Sequence, residues 1–299
     1  MRGKSMFRKE YFGRIVVTIA GLFLIFLTIS IGAFLLYRGA ATFTADHHSV
    51  AEFLFSSDWA PAQQGSGGKV GAAIFIAGSI LISSFALFLA TPFSLAAAVF
   101  MTEISPRLGR KVLQPAVEIF VGIPSVVYGW VGLTVLVPFL AGVFHLAYGY
   151  SVLAGAVVLA VMIFPTITSV SVDAIRNVPI EYKEASYGLG STRWQMIRRV
   201  IVPTAVPGIL TGVVLGLARA FGEALAVAMV IGKMQAFPEN LLLSPTTNLT
   251  AEITADMGNT TLGSEINNAL WSMALLLLLI SFLFILMIRA IGKLGAGQK

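Results

Sequence analysis

An arginine and a glutamate lie inside an apolar run that extends from Ala205 to Gly232, where the chain reads ARAFGEALA at 218–226. Arg219 and Glu223 are spaced i, i+4, so a continuous helix would present both side chains on one face. A guanidinium offers a planar fork of hydrogen-bond donors that fits the oxygens of an oxyanion such as phosphate, and it stays charged at any working pH. The pair therefore predicts an anion site, provided that the run lies within a membrane.

Glu223 has two candidate roles beside this arginine. Without an anion it would neutralise Arg219, and with phosphate its carboxylate could accept a hydrogen bond from a P–OH group. Sulfate carries no such proton at neutral pH, so the second role would discriminate between the two anions. The alternative is an internal ion pair that only fixes helix packing. We favour the anion site, because ionisable groups inside a membrane are costly and are usually functional.

The composition supports a membrane location. The chain has 299 residues, of which 57% are hydrophobic and only 11% are charged, whereas soluble domains carry about 25% charged residues. Such a chain cannot cover its own surface with polar groups, so it belongs to the polytopic membrane class, and we expect an all-α fold. It contains no cysteine, which excludes disulfides and thiolate metal sites.

Six apolar stretches are long enough to cross a bilayer, since about 20 residues of helix span its hydrocarbon core. They are 14–38, 70–102, 112–142, 151–173, 203–232 and 266–289. Counted from Pro203 along an ideal helix, Arg219 lies about 24 Å into the fifth span, near the midplane or slightly past it. With the N-terminus inside, 16 of the 20 Lys and Arg residues fall on inner segments. This asymmetry predicts that both termini are cytoplasmic.

The third predicted span carries Glu118, about 9 Å inside it if the span begins near Val112. Glycine and proline residues follow, at Gly122, Pro124, Gly129, Gly132 and Pro138. Proline removes a backbone donor, and interrupted membrane helices usually line a cavity, where Ser125 and Tyr128 could place their hydroxyl groups. The glycines also suit close helix packing, including packing with a partner subunit. The two interpretations are compatible.

The inner loop between the fourth and fifth spans, NVPIEYKEASYGLGSTRWQMIRRVIVP at 177–203, predicts two short helices. The first covers 180–187, glycines follow it, and Thr192 with Gln195 forms a capping box for the second. Pro203 is expected to mark the start of the next span. The loop would display four large side chains, Tyr182, Tyr187, Trp194 and Met196. Such a surface suits docking in a groove of a partner, or alternatively contact with lipid head groups.

This loop resembles the EAA loop of the ABC-importer permeases. Four residues match that family's pattern at its spacing: Glu184, Ala185, Gly190 and Pro203. Ser186, Val200 and Val202 replace its second Ala, its Ile and its Leu, which are conservative departures. The resemblance implies that the loop docks in a cleft of a cytoplasmic ATPase subunit, with Trp194 and Arg198 alongside the matched residues.

Two further stretches, EIFVGIPSVVYGWVG at 118–132 and GLARAFGEALAVAMVIGK at 216–233, resemble the PstC-type permease subunits of phosphate ABC importers. This resemblance implies a type I (MetI-like) permease fold in a prokaryotic plasma membrane. It also implies a PstA-type second permease subunit, two PstB-type ATPase subunits and an external PstS-type phosphate-binding protein. ATP and magnesium would be bound by the ATPase, and this chain would hold no cofactor, bind no nucleic acid and carry out no bond chemistry.

The division expected from this resemblance is a basic tail, first span and outer loop at 1–69, a permease domain at 70–291 and a cytoplasmic tail at 292–299. Competing hypotheses are a permease for another oxyanion, such as sulfate or molybdate, an ion-coupled carrier that uses Arg219, Glu223 and Glu118 as a relay, and a membrane scaffold.

Two features of the outer loops have more than one interpretation on the residues alone. The hydroxyl-rich stretch at 244–266 could be an external gate, a contact for the binding protein or a plain polar loop. His47 and His48 could ligate a metal, but no carboxylate cluster in the sequence supports one, so we expect an exposed loop and no metal site.

Overall fold

The computed structural model describes residues 2–62, 65 and 67–296, with side chains for 13–62, 65 and 67–290. The side chains of the predicted basic tail and the last residues of the predicted tail 292–299 lie outside these ranges. The division into 1–69, 70–291 and 292–299 stays a prediction. The face that carries residues 177–203 is called the inner face below, and the opposite face is called the outer face.

The described chain is almost entirely helical. Its α-helices are α1 (Arg2–Gly39), α2 (Ala41–Thr44), α3 (Val50–Phe55), α4 (Ala73–Val99), α5 (Pro106–Leu108), α6 (Gln114–Gly122), α7 (Ser125–Val131), α8 (Val137–Phe144), α9 (Val152–Arg176), α10 (Ile180–Gly188), α11 (Arg193–Met196), α12 (Val202–Gly222), α13 (Leu225–Val230), α14 (Leu249–Asp256) and α15 (Glu265–Ala296). Wider π-helical turns occupy Phe100–Ile104, Gly109–Leu113, Gly132–Leu136 and Ile197–Ile201, and a 3-10 turn occupies Met257–Asn259. A short antiparallel pair, β1 (Trp59–Ala60) and β2 (Lys69–Val70), closes an outer loop.

Six helical stretches of the described chain are long and apolar enough to cross a membrane, as predicted. They are Gly13–Thr44, Ala73–Ile104, Ser125–Phe144, Val152–Arg176, Arg193–Gly222 and Glu265–Ala290. The all-α fold and the number of spans are therefore confirmed.

The third and fifth spans differ from the expected ranges. The third begins at Ser125 rather than near 112, because the chain is extended at Ile123 and Pro124 and separates α6 from α7. The long helix of the fifth ends at Gly222 rather than 232, because Glu223 leaves the helical conformation, and the short helix α13 follows this break. The fifth span also begins earlier, at Arg193, since α11 continues through a π-helical turn into α12. Pro203 thus lies within a continuous helix and does not start the span, which corrects the expectation.

The core lies between α4, α9 and α12, where side chains such as Ile82, Leu159 and Val213 pack together. A stripe of three glycines on α12, Gly208, Gly212 and Gly216, faces α9. A Cβ at Gly208 would lie 2.5 Å from the Cβ of Ala174. Lipid tails are as apolar as leucine, so helix association in a bilayer depends on such close backbone approach.

The first span is attached to the rest of the chain near its outer end. Arg38 donates a hydrogen bond of 3.0 Å to Asn267 of α15 and lies over the Trp271 ring at 5.7 Å. Ser272 donates to the carbonyl oxygen of Gly39 at 2.6 Å. Along the most apolar stretch of α1, no residue is buried within the chain. We therefore expect this helix to face lipid or another subunit along most of its length.

Residues 244–256, called the outer segment below, are not an exposed polar loop. Thr246, Thr247 and Thr250 are buried, and the backbone N–H of Leu249 donates to the hydroxyl of Ser79 on α4 at 3.0 Å. The plain-loop interpretation is therefore wrong for this stretch. Its role as an external gate stays a prediction.

His48 is likewise not exposed. Its Nε2 lies 2.8 Å from the Glu265 carboxylate, and its Nδ1 lies 3.6 Å from that of Glu52. Backbone N–H groups of Ala62, Gly67 and Gly68 also donate to Glu265. Burial opposes protonation of His48, but its hydrogen bond to Glu265 and the charge of that carboxylate outweigh burial and raise the pKa of His48. Within the described residues, these groups fasten the outer loop to α15 and do not form a metal cluster.

The glycine stripe leads to a stability prediction. Gly208→Ala should lower the free energy of unfolding by about 1–3 kcal/mol, because the new methyl group meets an alanine that cannot rotate away. Thermal unfolding of the purified protein in detergent measures the change. Gly142→Ala on α8 is the matched control, since a Cβ there meets nothing within 4 Å. Equal unfolding temperatures for the two variants would contradict this packing.

Candidate functional site

Arg219 lies in the last turn of α12 and is half-buried. Its Nη1 donates a hydrogen bond of 3.2 Å to the Thr166 hydroxyl of α9. The ion pairs found among the described residues do not include Arg219. A guanidinium carries five N–H donors, so most of its fork remains available for an anion.

The predicted Arg219–Glu223 ion pair is absent from the described structure, and the prediction of a shared helix face is wrong. The helix ends at Gly222, and Glu223 takes an extended conformation with φ −80° and ψ 120°. The i, i+4 rule holds only within a continuous helix. Glu223 instead turns toward α13, where its Oε1 accepts a hydrogen bond of 3.0 Å from the backbone N–H of Ala226. A carboxylate at a helix N-terminus is stabilised by the unpaired N–H groups there.

The break at Glu223 is compensated by the outer segment. The Thr250 hydroxyl donates to the carbonyl oxygen of Glu223 at 2.9 Å. In a bilayer an exposed carbonyl without a donor costs several kcal/mol, so this contact offsets much of the cost of interrupting the span. The break therefore joins three elements, α12, α13 and the outer segment, at one point.

A second break lies in the third span, where Ser125 and Tyr128 were predicted to place hydroxyl groups. Pro124 has no N–H to donate to the carbonyl oxygen of Phe120, and the Tyr128 hydroxyl donates to that oxygen instead, at 2.7 Å. Ser125 is half-buried at the start of α7. Gly129, next to Tyr128, packs against Ala226 of α13, so this second break adjoins the one at Glu223.

The interrupted third span packs closely within the chain, as its glycines predicted, whereas a substrate cavity along it stays a prediction. A Cβ at Gly129 would lie 2.8 Å from Ala226 of α13, and one at Gly132 would lie 2.6 Å from Val158 of α9. Beside these contacts lies a groove of about 450 Å³ that is lined almost wholly by apolar side chains, among them Phe120, Val131 and Val161. This groove suits hydrocarbon or another helix and not an anion.

Glu118 does not belong to this region, and its prediction as a buried charge is wrong. It is exposed on α6, ahead of the break, and it accepts a hydrogen bond of 3.1 Å from Gln114. Gln114 in turn accepts one of 3.3 Å from Arg176 at the inner end of α9. Because the membrane-crossing helix begins only at Ser125, Glu118 lies on the inner side of the third span. The hydrogen bonds and ion pairs of the described residues do not join Glu118 to Arg219 or Glu223, and its part in a relay stays a hypothesis.

The predicted docking loop, 177–203, forms the expected pair of helices, α10 and α11. The first ends at Gly188, and Gly190 turns the chain with φ +77°. The capping box is confirmed, since Thr192 and Gln195 exchange hydrogen bonds of 2.9 and 3.3 Å. Ser186 contacts the Ser191 hydroxyl at 2.6 Å, which closes the turn between the helices. The serine that departs from the family pattern thus has a structural role.

The loop displays most of the predicted docking residues. Glu184, Ala185, Gly190, Trp194 and Arg198 are all exposed, and Trp194 retains 62% of its accessible surface. Met196, which was expected on the same surface, is buried with Ile197 and Met101 in the inner core. It faces inward because α11 packs on the inner ends of the spans.

Sequence reasoning missed several residues that the structure brings to these sites. Thr166 and Thr250 come from other elements, and nothing in the sequence near Arg219 or Glu223 indicates them. Glu103 and Lys183 form an ion pair of 2.6 Å beneath the docking loop. The sequence signal for this pair was a carboxylate, Glu103, at the end of an apolar span. The charge pattern alone does not distinguish a paired carboxylate at that position from a solvated one.

Comparison with known proteins identifies the family. Residues 90–294 match the model of the binding-protein-dependent transport system inner membrane component family. This chain belongs to that family. The probable ABC transporter permease YqgH of Bacillus subtilis strain 168 is 52% identical over 95% of this chain and 91% of its own length. The phosphate transport system permease PstC of Mesorhizobium japonicum is 37% identical over 79% of this chain and 76% of its own length.

Solved structures show the same fold. A chain of the MetNI methionine ABC transporter in an inward-facing conformation aligns with a TM-score of 0.56 at 21% identity, over 73% of this permease and 93% of that chain. The predicted MetI-like architecture is therefore confirmed, and so is the resemblance to the phosphate permeases. The protein is an ABC transporter permease, a multi-pass membrane protein and a transport subunit rather than an enzyme.

The outer segment of the permease carries a carboxyl group with unusual acidity. Burial, followed by the charge of Asp256, raises the pKa of Glu252 from 4.5 to about 7, although Gln235 donates a hydrogen bond to it at 2.7 Å. The folded state then binds a proton that the unfolded state releases, so this group makes stability fall as pH rises from about 4.5 to about 7.

We expect the unfolding temperature of the permease in detergent to decrease between pH 5 and pH 7.5, and Glu252→Gln to flatten that decrease. The amide keeps an acceptor for Gln235 but cannot titrate. Glu239→Gln is the control, because Glu239 is exposed on the same outer loop. A profile that is equally steep in the parent and in Glu252→Gln would show that this carboxyl does not titrate in the expected range.

Proposed function

We propose that the chain is the permease subunit of an ATP-driven importer for inorganic phosphate, and that it forms half of the translocation pathway. The observation that carries the proposal is the state of Arg219, which is half-buried at the broken end of α12. Its guanidinium donates a hydrogen bond to Thr166 and takes part in none of the ion pairs of the described residues. A cation at this depth without a carboxylate partner is costly. A passing oxyanion would compensate it during each transport cycle.

The PstC-type relatives support phosphate as the substrate. Glu223 lies four residues from the arginine and keeps one carboxylate oxygen, Oε2, beyond the Ala226 hydrogen bond. Such an oxygen could accept a hydrogen bond from a P–OH group, which sulfate lacks at neutral pH. Glu223 then contributes to the choice of anion without neutralising Arg219 in the resting state.

The partners follow from the same proposal. The exposed loop at 177–203 receives a PstB-type ATPase, which binds ATP and magnesium, and this chain holds no cofactor of its own. A PstA-type permease covers the apolar groove around Phe120 and Val131 and completes the pathway. A PstS-type protein delivers phosphate at the outer face. Both termini lie in the cytoplasm of a prokaryotic cell, as the basic residues indicate.

Arg219→Lys should reduce ATP-dependent phosphate uptake by the reconstituted complex at least about tenfold. A lysine keeps the charge but loses the fork of donors, and a hydrogen bond to a charged group contributes about 1.5–3 kcal/mol, which corresponds to tenfold or more. Uptake of radioactive phosphate into proteoliposomes with ATP inside measures the effect. Arg107→Lys on the exposed inner surface is the matched control, and equal loss in both variants would contradict a specific role for Arg219.

Glu223→Gln tests the choice of anion separately. The glutamine oxygen can still accept the Ala226 N–H, so the start of α13 is preserved. We expect a decreased phosphate rate and stronger inhibition by added sulfate than in the parent. If sulfate competes equally weakly with both proteins, Glu223 does not discriminate between the anions. If the parent takes up sulfate or molybdate in preference to phosphate, the substrate proposed here is wrong.

A further inference from the structure

The inner end of the second span is fastened to the docking loop by an ion pair. Nζ of Lys183, on α10, lies 2.6 Å from Oε1 of Glu103, and the two side chains are 21% and 8% exposed. Removing one partner from such a shielded pair leaves an uncompensated charge, so the pair resists separation more than a solvated one does. Arg193 of α11 adds a hydrogen bond of 3.1 Å to the carbonyl oxygen of Ile104.

These contacts reach the inner end of a long continuous helix. Glu103 lies in the π-helical turn Phe100–Ile104, which continues α4 without a break, so the helix extends from Ala73 to Ile104. Met101 of this turn packs with Met196 and Ile197 in the inner core. A displacement of α10 would therefore act directly on the inner end of the second span.

The outer end of the same helix holds the outer segment. Ser79 accepts the backbone N–H of Leu249 at 3.0 Å, and a Cβ at Gly78 would overlap the carbonyl oxygen of Thr247. The outer segment in turn contacts the broken fifth span through the Thr250 hydroxyl and the Glu223 carbonyl. Along an ideal helix, Ser79 and Glu103 are about 36 Å apart, which slightly exceeds the thickness of the hydrocarbon core of a bilayer.

We propose that α4 is a lever between the two faces, and that Glu103 and Lys183 are the positioning residues that make it follow the docking loop. Closure of the ATPase moves α10, the ion pair carries α4 with it, and Ser79 shifts the outer segment at Glu223. This inference rests on the proposed function, in which an ATPase docks at 177–203 and phosphate is the transported anion. It adds a route by which ATP hydrolysis changes access at the outer face.

Two roles for the Glu103–Lys183 ion pair, stabilising the fold and transmitting motion, lead to different results. If the pair transmits motion, its loss should leave docking and ATP hydrolysis in place while uptake falls, so the amount of phosphate transported per ATP decreases. If the pair only stabilises the fold, the amount of protein recovered falls and the phosphate per ATP of the recovered complex is unchanged. This ratio is therefore the quantity to measure.

The experiment uses Glu103→Gln and Lys183→Met in the reconstituted complex with its ATPase and binding protein. We expect phosphate transported per ATP to fall at least about fivefold in each. Asp58→Asn is the matched control, since Asp58 forms an ion pair with Lys69 of the same 2.6 Å length but on the exposed outer loop. It should leave the ratio unchanged.

A reversible cross-link supplies the second measurement. The chain has no native cysteine, so Glu103→Cys with Lys183→Cys introduces a unique thiol pair, which a short bis-methanethiosulfonate joins and a reductant releases. We expect poor coupling with the thiols reduced and recovery of coupling once they are joined, because a covalent link replaces the ion pair within the same molecules.

The outcomes separate this inference from the proposed function. If the parent complex shows no ATP-dependent phosphate uptake, the proposed function itself fails. If the parent transports and the single variants keep its phosphate per ATP, the lever is refuted alone. The lever is also refuted if the phosphate transported per ATP stays low after positions 103 and 183 are cross-linked. In that case α4 would be joined to α10 and still not transmit its motion.

Discussion

The break in the fifth span, between Gly222 and Leu225, is the feature on which the rest of the site depends. Inside a bilayer each interrupted backbone hydrogen bond must find another partner, because water is absent. Here the Glu223 carboxylate accepts an N–H of α13, and Thr250 donates to the Glu223 carbonyl. Since one of these partners, Thr250, belongs to the outer segment, the geometry of the break is tied to the position of that segment. A movement of that segment changes the surroundings of Arg219 without unfolding a helix.

The same break explains why the arginine and the glutamate are not an ion pair. On a continuous helix Glu223 would neutralise Arg219 permanently, and an anion would have to compete with a carboxylate for each guanidinium donor. The extended conformation of Glu223 directs its carboxylate to Ala226 instead. The cation is held by a neutral hydroxyl, that of Thr166, which holds the side chain in place and leaves its charge for a ligand.

The sequence predicted the number of spans, the all-α fold, the two helices of the docking loop and its capping box, because apolar length, glycine and capping residues act locally. It failed at Glu223 because the helix was assumed to continue where the backbone leaves it, and at Glu118 because the third span was assumed to begin near Val112 rather than at Ser125. Proline signalled the break before Ser125, but no residue type signals the one at Glu223. Contacts between distant segments, such as Thr250 with Glu223 or Lys183 with Glu103, depend on the tertiary fold and have no local pattern.

Two helices leave the docking loop toward the outer face, and they are attached to it differently. The fifth span continues covalently from α11 and brings Arg219 to the break. The second span is joined by an ion pair and a hydrogen bond, and it brings Ser79 to the outer segment. Both helices pack on α9 in one core, α12 through its glycines and α4 through side chains such as Ile82, so they differ mainly in how they are attached to the docking loop. In the mechanism proposed above, a displacement of Arg219 relative to the segment that supports Glu223 would alternate access to the proposed anion site.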